Sequence, residues 1–175
     1  MAVTIKQTEA APDSYPASGL SPEPANANVI WQRLESYIAY RWSARVVTWV
    51  VEGPGEWCPP LEPAVISTVE VWSCGAEDWD DVTVNASPLG GYWLSATGPF
   101  RFVAVVGEDD AIVPETVLEA FVRLSEYLDA VKHRPGLRSA SAGSVSVDYR
   151  DEMAMAQALQ RSGAADLLRP FRRAA

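Results

Sequence analysis

In RVVTWVVEG, residues 45–53, four valines and Thr48 flank Trp49, and Gly53 closes the run. β-Branched and aromatic residues at this density read as a strand. Working outward toward the C-terminus, PPLEPAVISTVEVWS (residues 59–73) has a proline-rich entry that stops any helix and then alternates through Val65, Ser67, Val69 and Val71. CGAEDWDDVTV (74–84) reads as a turn followed by a short strand. In SPLGGYWLSATGPFRFVAVVGEDD (87–110), turn signals at 88–91 and 98–99 leave YWLSA and FRFVAVV as the arms of a hairpin.

Helices flank this β-rich middle. Ile30, Leu34, Ile38 and Trp42, with Tyr37 beside them, recur at four-residue spacing and predict an amphipathic helix over 29–42 with Asn28 as its N-cap. Pro114 opens a second helix, carried by Val117, Leu118, Phe121, Leu124, Leu128 and Val131 as far as His133, where Arg134-Pro135-Gly136 ends it. Residues 8–28 are rich in Pro, Ala, Ser, Asn and Glu and bury too little to offset their ordering entropy, so they read as an extended arm. GLRSASAGSVSVDYR (136–150) reads as a hairpin or arm, and DEMAMAQALQRS (151–162) as a final helix capped by Asp151. The resulting fold class is α+β, a β-rich middle flanked by helices, with extended N- and C-terminal arms. Its expected divisions are an arm over 1–27, a core over 28–135 and a C-terminal arm with a docking helix over 136–175.

The 175 residues suffice for one domain with a real core. The net charge of −9 argues against binding nucleic acid or an anionic membrane through the body of the protein. The longest apolar stretch, Val46–Val51, is far shorter than the roughly 20 residues of a spanning helix, and the N-terminus has no apolar core of a secretion signal. The chain is therefore expected to be made in the cytoplasm, with Cys58 and Cys74 as thiols.

Little in the sequence offers catalysis. The single histidine, His133, ends a helix beside Lys132 and Arg134, where the helix dipole accounts for a cation. Glu77-Asp78 with Asp80-Asp81, and Glu108-Asp109-Asp110, lack the ligand spacing of a calcium loop and read as solvated turns. Phosphate-binding glycine loops, nucleophile elbows and zinc motifs do not occur in the sequence. No enzyme activity, cofactor or metal is expected. Of seven tryptophans, Trp31, Trp42, Trp49, Trp72 and Trp93 fall within helix or strand patterns and read as core, whereas Trp57 and Trp79 fall in loops and remain free for contacts.

The chain ends SGAADLLRPFRRAA (162–175), pairing Leu167, Leu168 and Phe171 with Arg169, Arg172 and Arg173. Apolar anchors interleaved with positive charge are the makings of a docking surface.

The segments ESYIAYRW, RVVTWVVEG, CPPLEPAVISTVEVWS and FRFVAVVGEDDAIVPETVLEAFVRLSEYL, in this order and before a basic terminal arm, resemble the head-tail connector (adaptor) proteins of long-tailed phages. With GLRSASAGSVSVDYRDEMAMAQALQRSGAADLLRPFRRA, the chain is especially similar to the head-tail adaptor of gene transfer agents. The resemblance covers residues 28–175; the Pro-rich residues 8–28 depart from a family that usually begins with a further short helix. It implies a small helical bundle, of helices 29–42 and 114–133, with an inserted β-hairpin or β-sheet region over 46–106, and a virion protein at the head-tail interface, forming a homo-oligomeric ring of about a dozen copies that joins the portal protein to stopper and tail proteins. DNA would pass through the channel without sequence-specific binding, and no membrane partner is implied. Leu167, Leu168, Arg169, Phe171, Arg172 and Arg173 would dock on the portal, with Trp57 and Trp79 as further ring or tail contacts. Within particle assembly the alternative is a stopper or tail-terminator protein. Outside it, the tryptophans and paired acids fit a carbohydrate-binding module, and the terminal arginines would make a weak, salt-sensitive DNA patch.

Overall fold

The computed structural model describes residues 2–132, 139–142, 145–148 and 157–172. The chain is mixed α and β and divides into two compact units, residues 1–15 with 40–111 and residues 16–39 with 112–175.

The first unit holds the strands: β1 (Val3–Glu9), then, after the first helix α1 (Ala27–Tyr37), β2 (Arg45–Glu52), β3 (Gly55–Trp57), β4 (Ala64–Ser73), β5 (Asp78–Asp81), β6 (Asn85–Ala86), β7 (Tyr92–Leu94) and β8 (Phe100–Val106). Five of them form an antiparallel sheet in the order β1-β2-β8-β4-β5, and three form a smaller sheet in the order β3-β7-β6. The stretch from Arg45 to Glu52 becomes an inner strand because alternate residues serve one face: Val47, Trp49 and Val51 are buried. β8 repeats the pattern with Phe100, Phe102, Ala104 and Val106, and register pairs Trp49 with Phe102. Trp57 of β3 completes this core, its ring centroid 4.3 Å from Phe102 and 5.7 Å from Trp49. Each such buried side chain contributes on the order of 1.5–3 kcal/mol before ordering costs.

Two sequence readings are corrected here. The segment read as an arm over 1–27 begins with β1, an edge strand paired to β2 from Val3↔Glu52 to Glu9↔Val47. The expected YWLSA–FRFVAVV hairpin does not form. β7 pairs with β3 and β6 while β8 lies between β2 and β4, since Gly53 N–H donates to the Thr97 carbonyl and Trp72 N–H to the Pro99 carbonyl as the chain crosses between sheets.

The second unit holds the helices α1, α2 (Glu115–Lys132), α3 (Ala158–Arg161) and α4 (Ala164–Leu167), a 3-10 turn over Arg169–Phe171, and a paired β9 (Ser139–Ala142) and β10 (Val145–Asp148). α1 buries Ile30, Trp31 and Leu34, and α2 buries Val117, Ala120, Phe121, Leu124 and Leu128. The Trp31 and Phe121 rings meet at 5.1 Å, and α2 also packs against α3 and α4. α2 thus follows its predicted spacing closely, but α1 stops at Tyr37 rather than Trp42. Ile38 is already extended, and Trp42 belongs to the other unit, where Arg41 N–H donates to the Glu62 carbonyl at 2.8 Å. Asn28 lies inside α1; Asn26 occupies the capping position without a side-chain cap bond. His133 and residues 151–156, including the expected cap Asp151, lie outside the described residues.

Candidate interaction surfaces

The residues predicted to dock do not form one exposed strip. α4 and the following turn pack back on the helices of their own unit, where Leu168 is fully buried. Leu167 and Phe171 are half-buried, and the Phe171 carbonyl accepts a hydrogen bond from Ala39 N–H at 3.4 Å. Arg169 and Arg172 are exposed. The Arg172 guanidinium lies over the Tyr37 ring at 4.8 Å and donates to its hydroxyl at 3.4 Å, which orients it outward beside α1. Arg173 lies outside the described residues. Leu168 therefore anchors the tail to the chain itself, leaving Arg169 and Arg172 as its outward chemistry.

Trp57, expected in a loop, is buried in β3, and its indole N–H donates to Thr4 Oγ1 at 2.8 Å. Trp79 is half-buried in β5, edge-on to Trp72 at 5.4 Å and covered on its ring by the Arg101 guanidinium at 4.5 Å. That guanidinium also makes two bonds to the Glu70 carboxylate, at 2.5 and 2.6 Å, on the strand across. The Arg101 hydrogen bond holds the Glu70 carboxyl below its ordinary value against the opposing effect of burial, so this stack ties β8 to the edge of the sheet.

The exposed tryptophan is Trp93, at 54% exposure on β7. Its neighbours Tyr92 and Leu94 turn inward, so strict alternation in YWL pointed Trp93 outward, a signal hidden by the assumption that a strand tryptophan is core. The nearby turn of the same hairpin carries Leu89, 76% exposed. A second bare apolar area lies on the outer face of the five-stranded sheet. Val46, Val105 and Val65 stand side by side in one cross-strand row, 52%, 43% and 71% exposed. β2 is valine-rich on both faces, which masks its alternation in the sequence.

Charge is partitioned sharply. Residues 1–15 and 40–111 carry thirteen acidic and four basic residues, whereas 16–39 and 112–175 carry ten of each, so the whole net charge of −9 belongs to the β unit. Glu77 at the β4–β5 turn is exposed, and Asp78, Asp80 and Asp81, read from the sequence as a solvated turn, are exposed on the edge strand β5, while Glu108, Asp109 and Asp110 follow β8. Asp109 accepts from Ala44 N–H at 3.2 Å. Among the described residues no group of acidic, histidine and cysteine side chains is arranged to hold a metal, and no helix is long and apolar enough to cross a membrane.

These features define a mixed α+β chain with an acidic β unit and bare apolar surfaces on its strands. No protein-family model and no curated protein matches it. Among solved structures, a chain of the virion of a native gene transfer agent particle shares its fold, with a TM-score of 0.53 and 12% identity over 100% of this chain and 96% of that one. A chain of the neck of a native gene transfer agent particle, computed with C12 symmetry, gives a TM-score of 0.48 and 11% identity over 79% of each chain.

Proposed function

We propose that this chain is a structural head-tail adaptor of a phage-like particle, a gene transfer agent or a siphophage, forming an oligomeric ring between the portal and the stopper or tail. The observation that carries this reading is the fold shared along essentially the full length with a chain of a gene transfer agent virion. The charge distribution supports it: a β unit at −9 lets DNA move past with little adhesion, because DNA binding depends on clustered cations. The C-terminal segment supports it too. Arg169 and Arg172 face outward from a tail fastened by Leu168, so they are available to acidic portal groups, with the half-buried Leu167 and Phe171 beside them.

The test is to mix the purified chain with the portal protein of its own operon and examine the product by mass photometry and negative-stain microscopy. The expected product is a stacked double ring, abolished by Arg169→Glu with Arg172→Glu at an unchanged melting temperature. A chain that forms no complex with that portal overturns the reading.

A further inference from the structure

We propose that β1 is a releasable strap: it opens as a unit while the other four strands of its sheet stay paired, and it uncovers on β2 an edge that takes an extended strand of a partner protein. That strand carries hydrogen-bond acceptors at the places of Thr4, Gln7 and Glu9, the last of them a carboxylate.

β1 is fastened by recognition rather than by burial. No residue from Val3 to Glu9 is buried, and its two large apolar side chains, Val3 and Ile5, are 59% and 57% exposed. Thr4, Gln7 and Glu9 pair with Val51, Trp49 and Val47, the residues of β2 that face the core, and each of the three accepts a hydrogen bond. Thr4 Oγ1 accepts from Trp57 Nε1 at 2.8 Å, Gln7 Oε1 from Trp49 Nε1 at 2.9 Å, and the Glu9 carboxylate from Arg41 and Arg45. The ladder to β2 is interrupted by a register shift between Thr4 and Lys6. Because β1 itself contributes little apolar burial, its opening separates from that of β2 and β8, whose Val47, Trp49, Phe100 and Phe102 belong to the core.

The two edges of the five-stranded sheet are protected differently. β5 carries the exposed Asp78, Asp80 and Asp81, and charges on an edge discourage an added strand. β2 has no ionisable side chain from Val46 to Val51, and on this side it is covered by β1. Without β1 it is an uncharged edge of β-branched residues, the kind that templates pairing. β1 therefore guards the edge, and its release opens β2 to strand addition.

The groups that β1 meets define what the edge recognises. Trp57 Nε1, Trp49 Nε1 and the guanidiniums of Arg41 and Arg45 follow one another along the strand, all of them donors, with both positive charges at one end. They select a strand of acceptors that presents a carboxylate to the arginines, and they disfavour one that presents Lys or Arg there.

The test uses the full-length chain. In native-state hydrogen exchange, the paired amides of β1 should share one opening that is about tenfold or more as frequent as that of the β8 amides. Glu9→Arg sets a third cation against Arg41 and Arg45 and unfastens the strap in place. That variant, checked for folding by circular dichroism, should capture a fluorescent peptide of residues 2–10 about tenfold or more tightly than wild type, whose own tethered β1 competes at high effective concentration. The same peptide carrying Glu9→Arg should be captured about tenfold or more weakly. Gln7→Pro, which breaks the strand through its backbone, is a second unfastened chain with the same expectation. β1 amides that open only together with those of β8 overturn the proposal, as do capture no tighter than by wild type, indifference to the peptide's Glu9, or loss of the fold in both variants. A variant that forms a dimer which excess peptide does not dissolve assigns the edge to a second copy and overturns the partner strand.

Discussion

Glu9 grips Arg41 in a two-pronged ion pair, Oε1 accepting from Nε at 2.7 Å and Oε2 from Nη2 at 3.1 Å. Arg45 joins through Nη1 at 3.1 Å. Both guanidiniums are almost wholly buried, so the end of the edge strand β1 is fastened to the segment that leads into β2. Burial pushes the Glu9 carboxyl up, but the hydrogen bonds and charges of Arg41 and Arg45 outweigh it and hold it below its ordinary value of 4.5.

A carboxyl with a depressed folded-state pKa stabilises the fold above its unfolded value, and that contribution is lost as pH falls through the folded one. β1 should therefore loosen below about pH 4.5, seen as faster hydrogen exchange of its paired amides before the inner strands open. Glu9→Gln should cost about 2–3 kcal/mol at neutral pH, in line with breaking a largely buried pair, and should flatten the acid limb of the stability profile. An acid limb unchanged in that variant would show that another carboxyl controls it.

The same pair shows why some elements were legible in the sequence and others not. α2 was legible because Val117, Phe121, Leu124 and Leu128 are spaced to meet one face and Pro114 marks the start; β2 and β8 were legible from β-branched and aromatic density. β1 was not, because its partners lie far along the chain: Glu9 meets Arg41 across 32 residues, and no local pattern encodes that. The end of α1 failed for a related reason. Ile38 and Trp42 continue the four-residue spacing, yet the chain leaves the helix to let Arg41 reach Glu62 and Glu9. Trp57 sits in a three-residue strand between turn-forming segments, so only its nonlocal neighbours Trp49 and Phe102 reveal it as core.

Trp57 and Trp79, alike in the sequence, should separate in stability. Trp57→Ala removes a large buried ring and its bond to Thr4, and should cost about 3–5 kcal/mol. Trp79→Ala removes a half-buried ring, its edge-on contact with Trp72 and one cation–π contact, and should cost about 1–2 kcal/mol. Urea unfolding of both variants checks this; equal costs would contradict the difference in burial.

Gly91 lets the hairpin seat against β3. A methyl group there would run into the Trp57 carbonyl and lie 2.6 Å from Cys58 Sγ. Gly91→Ala should therefore destabilise the small sheet by about 2 kcal/mol, an overpacking cost, whereas Gly90→Ala meets no atom and is strained only by its positive φ of 87°. Thermal melts should rank wild type above Gly90→Ala and Gly90→Ala above Gly91→Ala. The reverse order of the two variants would mean that the close approach at Gly91 is relieved by a small shift of β3.

Leu168 and Arg169 are adjacent and should fail in different assays. Leu168 is fully buried where α4 ends, so Leu168→Ala removes core from the helical unit and should cost about 2–5 kcal/mol. Arg169 is exposed, so Arg169→Glu should shift stability by no more than about 0.5 kcal/mol. If the tail docks through its arginines, Arg169→Glu lowers attachment to portal-bearing heads in a salt-dependent way while the melting curve stays put. Leu168→Ala lowers the melting curve first and affects attachment only through the fraction unfolded. Equal loss of attachment from both variants at full folding would mean that Leu168 leaves its own helices to enter the portal, and that the packed tail is the undocked state.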